Sequence, residues 1–508
     1  MTSQAGAPGS GAGQSHLAVA LSLAERRRIV FGLLLAIFLA AMDQTILAIS
    51  LVTIARELHG LDLMPWLVSG YLVAATVSTP IYGKLSDLYG RRPLLLAAIS
   101  IYMLAGILAM LAQSAPQLLV LRILQGLGAG GLLSLAHATI ADIAPGVERG
   151  RYQGMISGVF AFAAVAGPVF GGYLTHYISW RAVFAFTVLI AAAALLSVRR
   201  ALRRLPVGRG RAGRPIDYAG ALLLGGGLAT LMIALTRFGQ GRGGDSASTL
   251  GLLAASAVLF VACAWRERRA PEPIMPPELF RNRTMVMCCA LLALMFFVLV
   301  GMTVLLPIAM QTVGGADTDQ VALRMLPLTL SIPFGAFLAG RLMLSAATPR
   351  TLMIGGAALT LITLIAIALT GYDSRLAMGA WMLLLGVGIG VPLPAALVAL
   401  QMAVAARQIG IATATSALFR TLGGAIGIAI LTSVLFEQLR AGAIPGSSPA
   451  ASALLGSVAQ AGAEATYAAF RAAYGVAALA ALAALGCALA MPSAVGPPGI
   501  RRRSGTPT

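Results

Sequence analysis

The chain has 508 residues, 58% of them hydrophobic and 10% charged, with a mean hydropathy of +0.88 and a formal net charge of +19. Soluble domains carry about a quarter charged residues, so a soluble globular fold is excluded. The long uninterrupted apolar runs also exclude a β-barrel, whose strands alternate in hydrophobicity.

An all-α polytopic membrane protein is therefore predicted, and the placement of its charge sets the orientation. Of the 36 lysines and arginines, 26 fall in alternate loops on one side, seven on the other side, and Arg122, Arg324 and Arg420 inside spans. That asymmetry predicts both termini in the cytoplasm of a multi-pass protein of the cell (inner) membrane. It also argues against a nucleic-acid partner, which would need one basic patch interleaved with aromatics.

Residues 1–28 read as a disordered cytoplasmic tail rich in Gly, Ser and Ala. The first apolar segment after it is too long for a signal-peptide core, so it is expected to stay in the mature protein. Fourteen segments of spanning length are predicted. Six cover 29–51, 64–83, 93–113, 116–140, 152–175 and 181–198, two cover 217–236 and 249–265, and six cover 285–310, 320–344, 350–370, 376–400, 408–436 and 467–491. Between the first two groups, Arg199 to Pro215 carries seven arginines and reads as a linker lying on anionic lipid. A second basic stretch covers 266–283, the small, polar stretch 437–466 reads as a flexible outer loop, and 492–508 as a cytoplasmic tail. The expected organisation is two six-helix halves, 29–198 and 284–491, joined by 199–283 with two inserted central helices. Internal repeats of this kind place a binding site near the midplane between halves. Cys263, Cys288, Cys289 and Cys487 lie in or beside apolar segments without metal-ligand spacing, and the four histidines are scattered. No metal or other cofactor is expected.

Four stretches carry chemistry. In the first span Asp43 places a carboxylate inside hydrocarbon, at a cost of about 2.5–3.5 kcal/mol even on insertion scales. Such a group either binds protons or serves as a packing residue bonded to a neighbouring Thr or Gln. Between the second and third spans, Gly83-Lys84-Leu85-Ser86-Asp87-Leu88-Tyr89-Gly90-Arg91-Arg92 is a charged hinge at the membrane surface. Its Asp87 can accept from a helix N-terminus or from the arginines, whose simpler reading is topological. The fourth span sets Arg122 and Gln125 ahead of Gly126, Gly128, Gly130 and Gly131, a face built for close packing. Arg122 must find a partner in the membrane or snorkel outward. In the fifth span Gly154, Gly158, Gly167, Pro168, Gly171 and Gly172 combine a smooth face with a kink.

These stretches resemble the major facilitator superfamily, and within it the drug:H+ antiporters with fourteen transmembrane helices. The hinge matches G-x-L-x-D-x-x-G-R-[RK] at every fixed position, and the fourth span matches R-x-x-Q-G-x-G. Asp43, Thr45, Ile46 and Leu47 match the first-helix pattern L-D-x-T-[IV]-[VL]-N-x-A-L-P, with Ala48 for the Asn and Val52 for the Pro. The fifth span fits the antiporter pattern G-x8-G-x3-G-P-x2-G-G at Gly154, Gly167, Pro168, Gly171 and Gly172, with Ala163 for one glycine. Trp66, Tyr71, Pro80, Trp180-Arg181, Asp217-Gly220 and Arg420 to Gly427 are further similarities, running in all from about Phe31 to Ala490. A faded echo of the hinge, Gly340-Arg341 and Pro349-Arg350, sits at the equivalent place in the second half.

The resemblance implies a proton-coupled antiporter exporting amphipathic, cationic or neutral drug-like compounds, driven by the proton gradient and needing no cofactor. It implies Asp43 and Arg122 in proton coupling and Gly83, Asp87, Gly90, Arg91 and Arg92 in an inner gate. Gln44, Tyr71 and Gln125 are candidate polar contacts of a substrate pocket. The expected partners are small amphipathic substrates, protons and the lipid bilayer, with the protein a monomer. A dedicated exporter of one metabolite, siderophore or lipid is the alternative within the class, and a non-transporting receptor or scaffold the alternative outside it. An enzyme is not expected: there is no nucleophile–base pair, and no Walker-type loop for ATP drive. In the second half Arg324, Arg420 and Glu437 are ionisable, but no Asp or Glu lies mid-span, so that half reads as an apolar wall with packing arginines.

Overall fold

The computed structural model describes residues 22–58, 63–143, 148–201, 217–237, 247–270, 275–313, 318–344, 347–370, 375–405, 408–441 and 463–492. Each of the fourteen expected segments is helical, and no strand occurs among the described residues. The first six helices are α1 (Leu23–Glu57), α2 (Met64–Tyr89), α3 (Arg91–Met110), α4 (Ala115–Ile143), α5 (Glu148–Tyr177) and α6 (Trp180–Ala201). The central pair is α7 (Tyr218–Arg237) and α8 (Ala247–Glu267). Then follow α9 (Arg283–Thr312), α10 (Leu326–Leu344), α11 (Pro349–Thr370), α12 (Arg375–Gly390 continued by Pro392–Ala403), α13 (Ile409–Ala441) and α14 (Ala463–Ala490). Ten of the described helices are long and apolar enough to cross a membrane, and α7 adds a shorter apolar stretch, Ala219–Leu235.

Local chemistry moves several boundaries. α1 starts at Leu23, inside the tail expected to be disordered to residue 28, because Ser22 and Glu25 form a capping box. Glu25 N–H donates to Ser22 Oγ at 3.2 Å and Ser22 N–H donates to Glu25 Oε2 at 3.1 Å. The expected surface loop 83–92 is almost wholly helical, since α2 runs to Tyr89 and α3 begins at Arg91. Only Gly90 breaks the rod, with φ 93° and ψ 158°, a conformation open to glycine and scarcely to other residues. The span expected at 320–344 breaks at Met325, leaving Thr318–Arg324 as a separate short helix. Helix takes both ends of the expected outer loop, to Ala441 and from Ala463, and residues 442–462 lie outside the described residues. The basic linker is helical to Ala201 and otherwise falls in 202–216, also outside them. The second basic stretch contains the short helix Pro277–Arg281, and Asn282 caps α9 by accepting from Thr284 N–H at 3.0 Å.

The packing repeats itself. α1 packs on α5 and α6, α4 on α2 and α3, and α3 on α6; the same contacts recur eight helices on, among α9, α13 and α14, α12, α10 and α11, and α11 and α14. The main contacts that join the six-helix sets are α2 on α13 and α5 on α10, which correspond under the same repeat; α4 on α13 and α5 on α12 are a smaller pair related in the same way. The central pair docks outside one of these seams: Leu224 and Leu228 of α7 cluster with Leu418 of α13 and Val77 of α2. Large apolar side chains such as Leu189, Leu222, Val261 and Leu369 are exposed on the outer surface, the arrangement a lipid solvent favours.

Candidate functional site

α1 turns Asp43 into the first six-helix set, where it is 2% exposed. Arg122 of α4 reaches it: Nη1 donates to Oδ1 at 3.2 Å and to Oδ2 at 3.1 Å. The Tyr102 hydroxyl, from α3, donates to Oδ1 at 2.7 Å. Arg122 Nη1 also donates to Gln125 Oε1 at 2.7 Å, and its Nε to the Leu67 carbonyl of α2 at 3.4 Å. The guanidinium lies over the Tyr71 ring, 4.2 Å from its centroid. Four helices thus meet at one ion pair. Gly126 permits the approach of α4 to α2, since a Cβ there would strike the Tyr71 carbonyl. Arg122 is 2% exposed and does not snorkel; the carboxylate draws it inward. Desolvating two ions costs several kcal/mol each, and pairing offsets this only when the remaining donors and acceptors are also bonded. Tyr102, Gln125 and Leu67 supply those bonds.

Two of the three candidate pocket residues lie at this ion pair. Tyr71 and Gln125 are buried around the Arg122 guanidinium and belong to the ion-pair network, although Gln125 Nε2 has no hydrogen-bond partner. The Gln44 side chain lies outside the described residues.

At the end of the bundle where α2 meets α3, the hinge residues form a latch. Asp87, in the last turn of α2, accepts from the backbone N–H groups of Gly410 at 3.2 Å and Ile411 at 2.9 Å, in the first turn of α13. Those N–H groups have no partner within their helix and carry the positive end of its dipole. Arg91 donates to Asp87 and Ser86, and through Nε to Asp142 Oδ2 of α4 at 2.9 Å. Gly83 lies so close to α13 that a Cβ would strike Ala414, and a Cβ on Gly410 would strike both Asp87 and Arg91. Arg92 takes no part in this set of bonds.

The glycines of the fifth-span motif serve two contacts. A Cβ on Gly171 would strike the Ile46 carbonyl of α1, and one on Gly154 would lie 3.3 Å from Phe337 of α10. Gly167 is buried and Gly172 partly so, while the Pro168 side chain lies outside the described residues. The echo in the second half makes no corresponding latch: Arg341 covers the Phe337 ring and Arg350 donates to the Leu489 carbonyl of α14 at 2.9 Å. Arg324 donates to Gln320 at 2.9 Å near the end of a short helix, and Glu437 is exposed.

Sequence reasoning missed Tyr102 and Asp142. A tyrosine in mid-span has a hydroxyl that must find a partner, and an acid closing the fourth span stands on the same side as Arg91. Both signals were present in the sequence, and neither names its partner.

The comparisons agree with this architecture. Multidrug transporter protein MdtP of Bacillus subtilis is 30% identical over 413 residues, 81% of this chain and 75% of that protein. Multidrug resistance protein 3 of the same organism is 31% identical over 411 residues, covering 81% of this chain and 80% of its own. The crystal structure of the human organic anion transporter MFSD10 shares the fold, with a TM-score of 0.65 at 16% identity over 91% of this chain and 99% of that one. Residues 33–428 match the Major Facilitator Superfamily, so this multi-pass chain is a transporter belonging to that superfamily.

Proposed function

We propose that the chain is a proton-coupled antiporter of the cell membrane, with both termini cytoplasmic, that exports amphipathic drugs or toxic compounds. The observation that carries this reading is the Asp43–Arg122 pair, buried among apolar helices and reinforced by Tyr102. A proton arriving on Asp43 removes the charge that holds Arg122, and Arg122 cannot lose its own charge in exchange. The network therefore has two arrangements, loaded and empty, and helices α1, α2, α3 and α4 are all tied to the difference. The latch of Asp87 on α13 closes the end that the positive-inside pattern assigns to the cytoplasm, which leaves the opposite end free to open. Export follows from alternation: the two six-helix sets rock about the site while α7 and α8 ride on the outer seam. The proton gradient drives the cycle and no cofactor takes part. The names of the Bacillus subtilis relatives support the drug-export part of the reading.

The test is purified protein in detergent with a pH-sensitive dye, paired with proteoliposomes under an imposed pH gradient. Substrate addition should release protons from the wild type, and Asp43→Asn should abolish both this release and gradient-driven transport. Proton release that persists unchanged in Asp43→Asn places coupling elsewhere and overturns the reading.

A further inference from the structure

The ionised groups inside the protein are nearly all paired. Asp43 is bonded to Arg122 and Tyr102, Arg91 to Asp87 and Asp142, and Asp217 to Arg266. Among the described residues, Arg420 of α13 stands apart from these pairs. Its Nε is buried without a hydrogen-bond partner, and among the described residues no carboxylate pairs with it. Its guanidinium carbon lies 4.7 Å from the centroid of the Phe296 ring of α9. The titratable group near it is His137 of α4, in the other six-helix set, whose Nδ1 is engaged by the Leu133 carbonyl at 2.7 Å.

The helix fixes where this side chain points. Leu418 belongs to the cluster that α7 makes with α13, and Leu422 packs against it. Arg420 shares the opposite face with Gly423, Gly424 and Gly427, which meet Ala293, Val300 and Phe297 of α9. Protein surrounds it, yet it keeps some accessible surface. The expected packing role is thus met on one face only, by Phe296.

An arginine at this depth is costly, and such residues in membrane spans mark ligand pathways when no internal partner explains them. The planar guanidinium forks onto carboxylates through two parallel bonds, and an aromatic ring beneath it holds the fork flat. Asp43 is already bound to a cation inside the protein and offers no free charge to a cationic drug. The free interior charge is positive. We propose that Arg420 binds the anionic group of an amphipathic organic acid, a carboxylate carried on an apolar body, so that the substrates of this transporter include acids as well as neutral compounds. The proposal rests on the export reading above for its context, and deepens it by naming a substrate class and the residue that selects it.

Three probes with one apolar body test it: 4-(1-pyrene)butyrate, 1-pyrenebutanol and 1-pyrenebutylamine. Binding to the purified full-length protein is measured by fluorescence anisotropy in detergent, with no gradient. The wild type should bind the carboxylate about tenfold or more tightly than the alcohol, the gain of a charge-assisted hydrogen-bond pair. Arg420→Gln should lose that preference while binding the alcohol within about twofold of wild type, which also reports correct folding. Should Arg420→Gln fail to fold, Arg420→Lys, which keeps the charge and loses the fork, should retain only part of the preference. Equal wild-type affinity for acid and alcohol, or a preference that survives in Arg420→Gln, overturns the proposal. So does an equal loss of all three probes in both variants. The export reading is separated by proteoliposome transport of the same set. A carboxylate preference without gradient-driven transport of any probe removes that reading and leaves the Arg420 site standing, whereas transport of alcohol and amine without a carboxylate preference does the reverse.

Discussion

At the scale of single residues, the Asp43–Arg122 pair makes a quantitative demand. Removing one member of a buried pair leaves an uncompensated charge and typically costs 3–5 kcal/mol, whereas replacing both with groups of similar shape is often near neutral. Arg122→Met alone should therefore lower thermal stability in detergent by about that amount. The double variant Arg122→Met with Asp43→Asn should recover most of it. A double variant less stable than Arg122→Met alone would mean that the two side chains do not stabilise each other. Stability and transport separate here, because the recovered double variant still lacks the carboxylate on which the proposed coupling depends. The need for an acid at position 43 and a base at 122 was legible from the sequence, since hydrocarbon tolerates neither without a reason. Tyr102 was not legible as the third member, because a tyrosine in an apolar span satisfies many environments equally well.

At the scale of helices, the latch ties α2 to the first turn of α13 through one carboxylate. Charge-assisted bonds of this kind contribute about 1.5–3 kcal/mol, which corresponds to roughly a tenfold to hundredfold bias toward the closed arrangement. Asp87→Asn should shift the population accordingly and slow transport, with expression and substrate binding largely intact. Spin-label distances between the Asp87 end of α2 and the start of α13 would read the shift directly. Gly410→Leu should open the same end by steric collision with Asp87 and Arg91. Distances unchanged in both variants would reduce the hinge to a topological marker. The motif itself was plain in the sequence, yet it was expected as a loop. Only one residue breaks the helix, because Gly90 reaches a backbone conformation that lets α3 begin at the next residue.

At the scale of the whole molecule, the arginine asymmetry makes a topological prediction. Reporter fusions after Gly241 should read the outside, and fusions after Arg204 and Arg269 the cytoplasm. A cytoplasmic signal after Gly241 would withdraw α7 and α8 from the membrane and leave twelve crossings. The central pair has a structural place consistent with membrane insertion: α7 lies on the seam between α2 and α13, and α8 presents Leu253, Val258 and Val261 outward. Deleting residues 217–267 should expose that seam without removing any member of the Asp43 network. The melting temperature should fall, while substrate-induced proton release persists in whatever protein remains folded.

Composition and periodicity were sufficient for the class, its apolar helical segments and the residues that hydrocarbon makes expensive, because these depend on transfer free energies that each segment carries by itself. The second half shows where that information ends. Arg420 and Arg350 look alike in sequence, each an arginine in or beside an apolar run. One donates through Nη2 to a carbonyl of α14, and the other lies against Phe296 with its Nε unpartnered. The same holds for Asp87 and Ile411, which lie 324 residues apart along the chain and 2.9 Å apart in space. Helix formation is local and is written in the chain; which charge meets which partner depends on how the finished helices pack, and that was decided only in the tertiary structure.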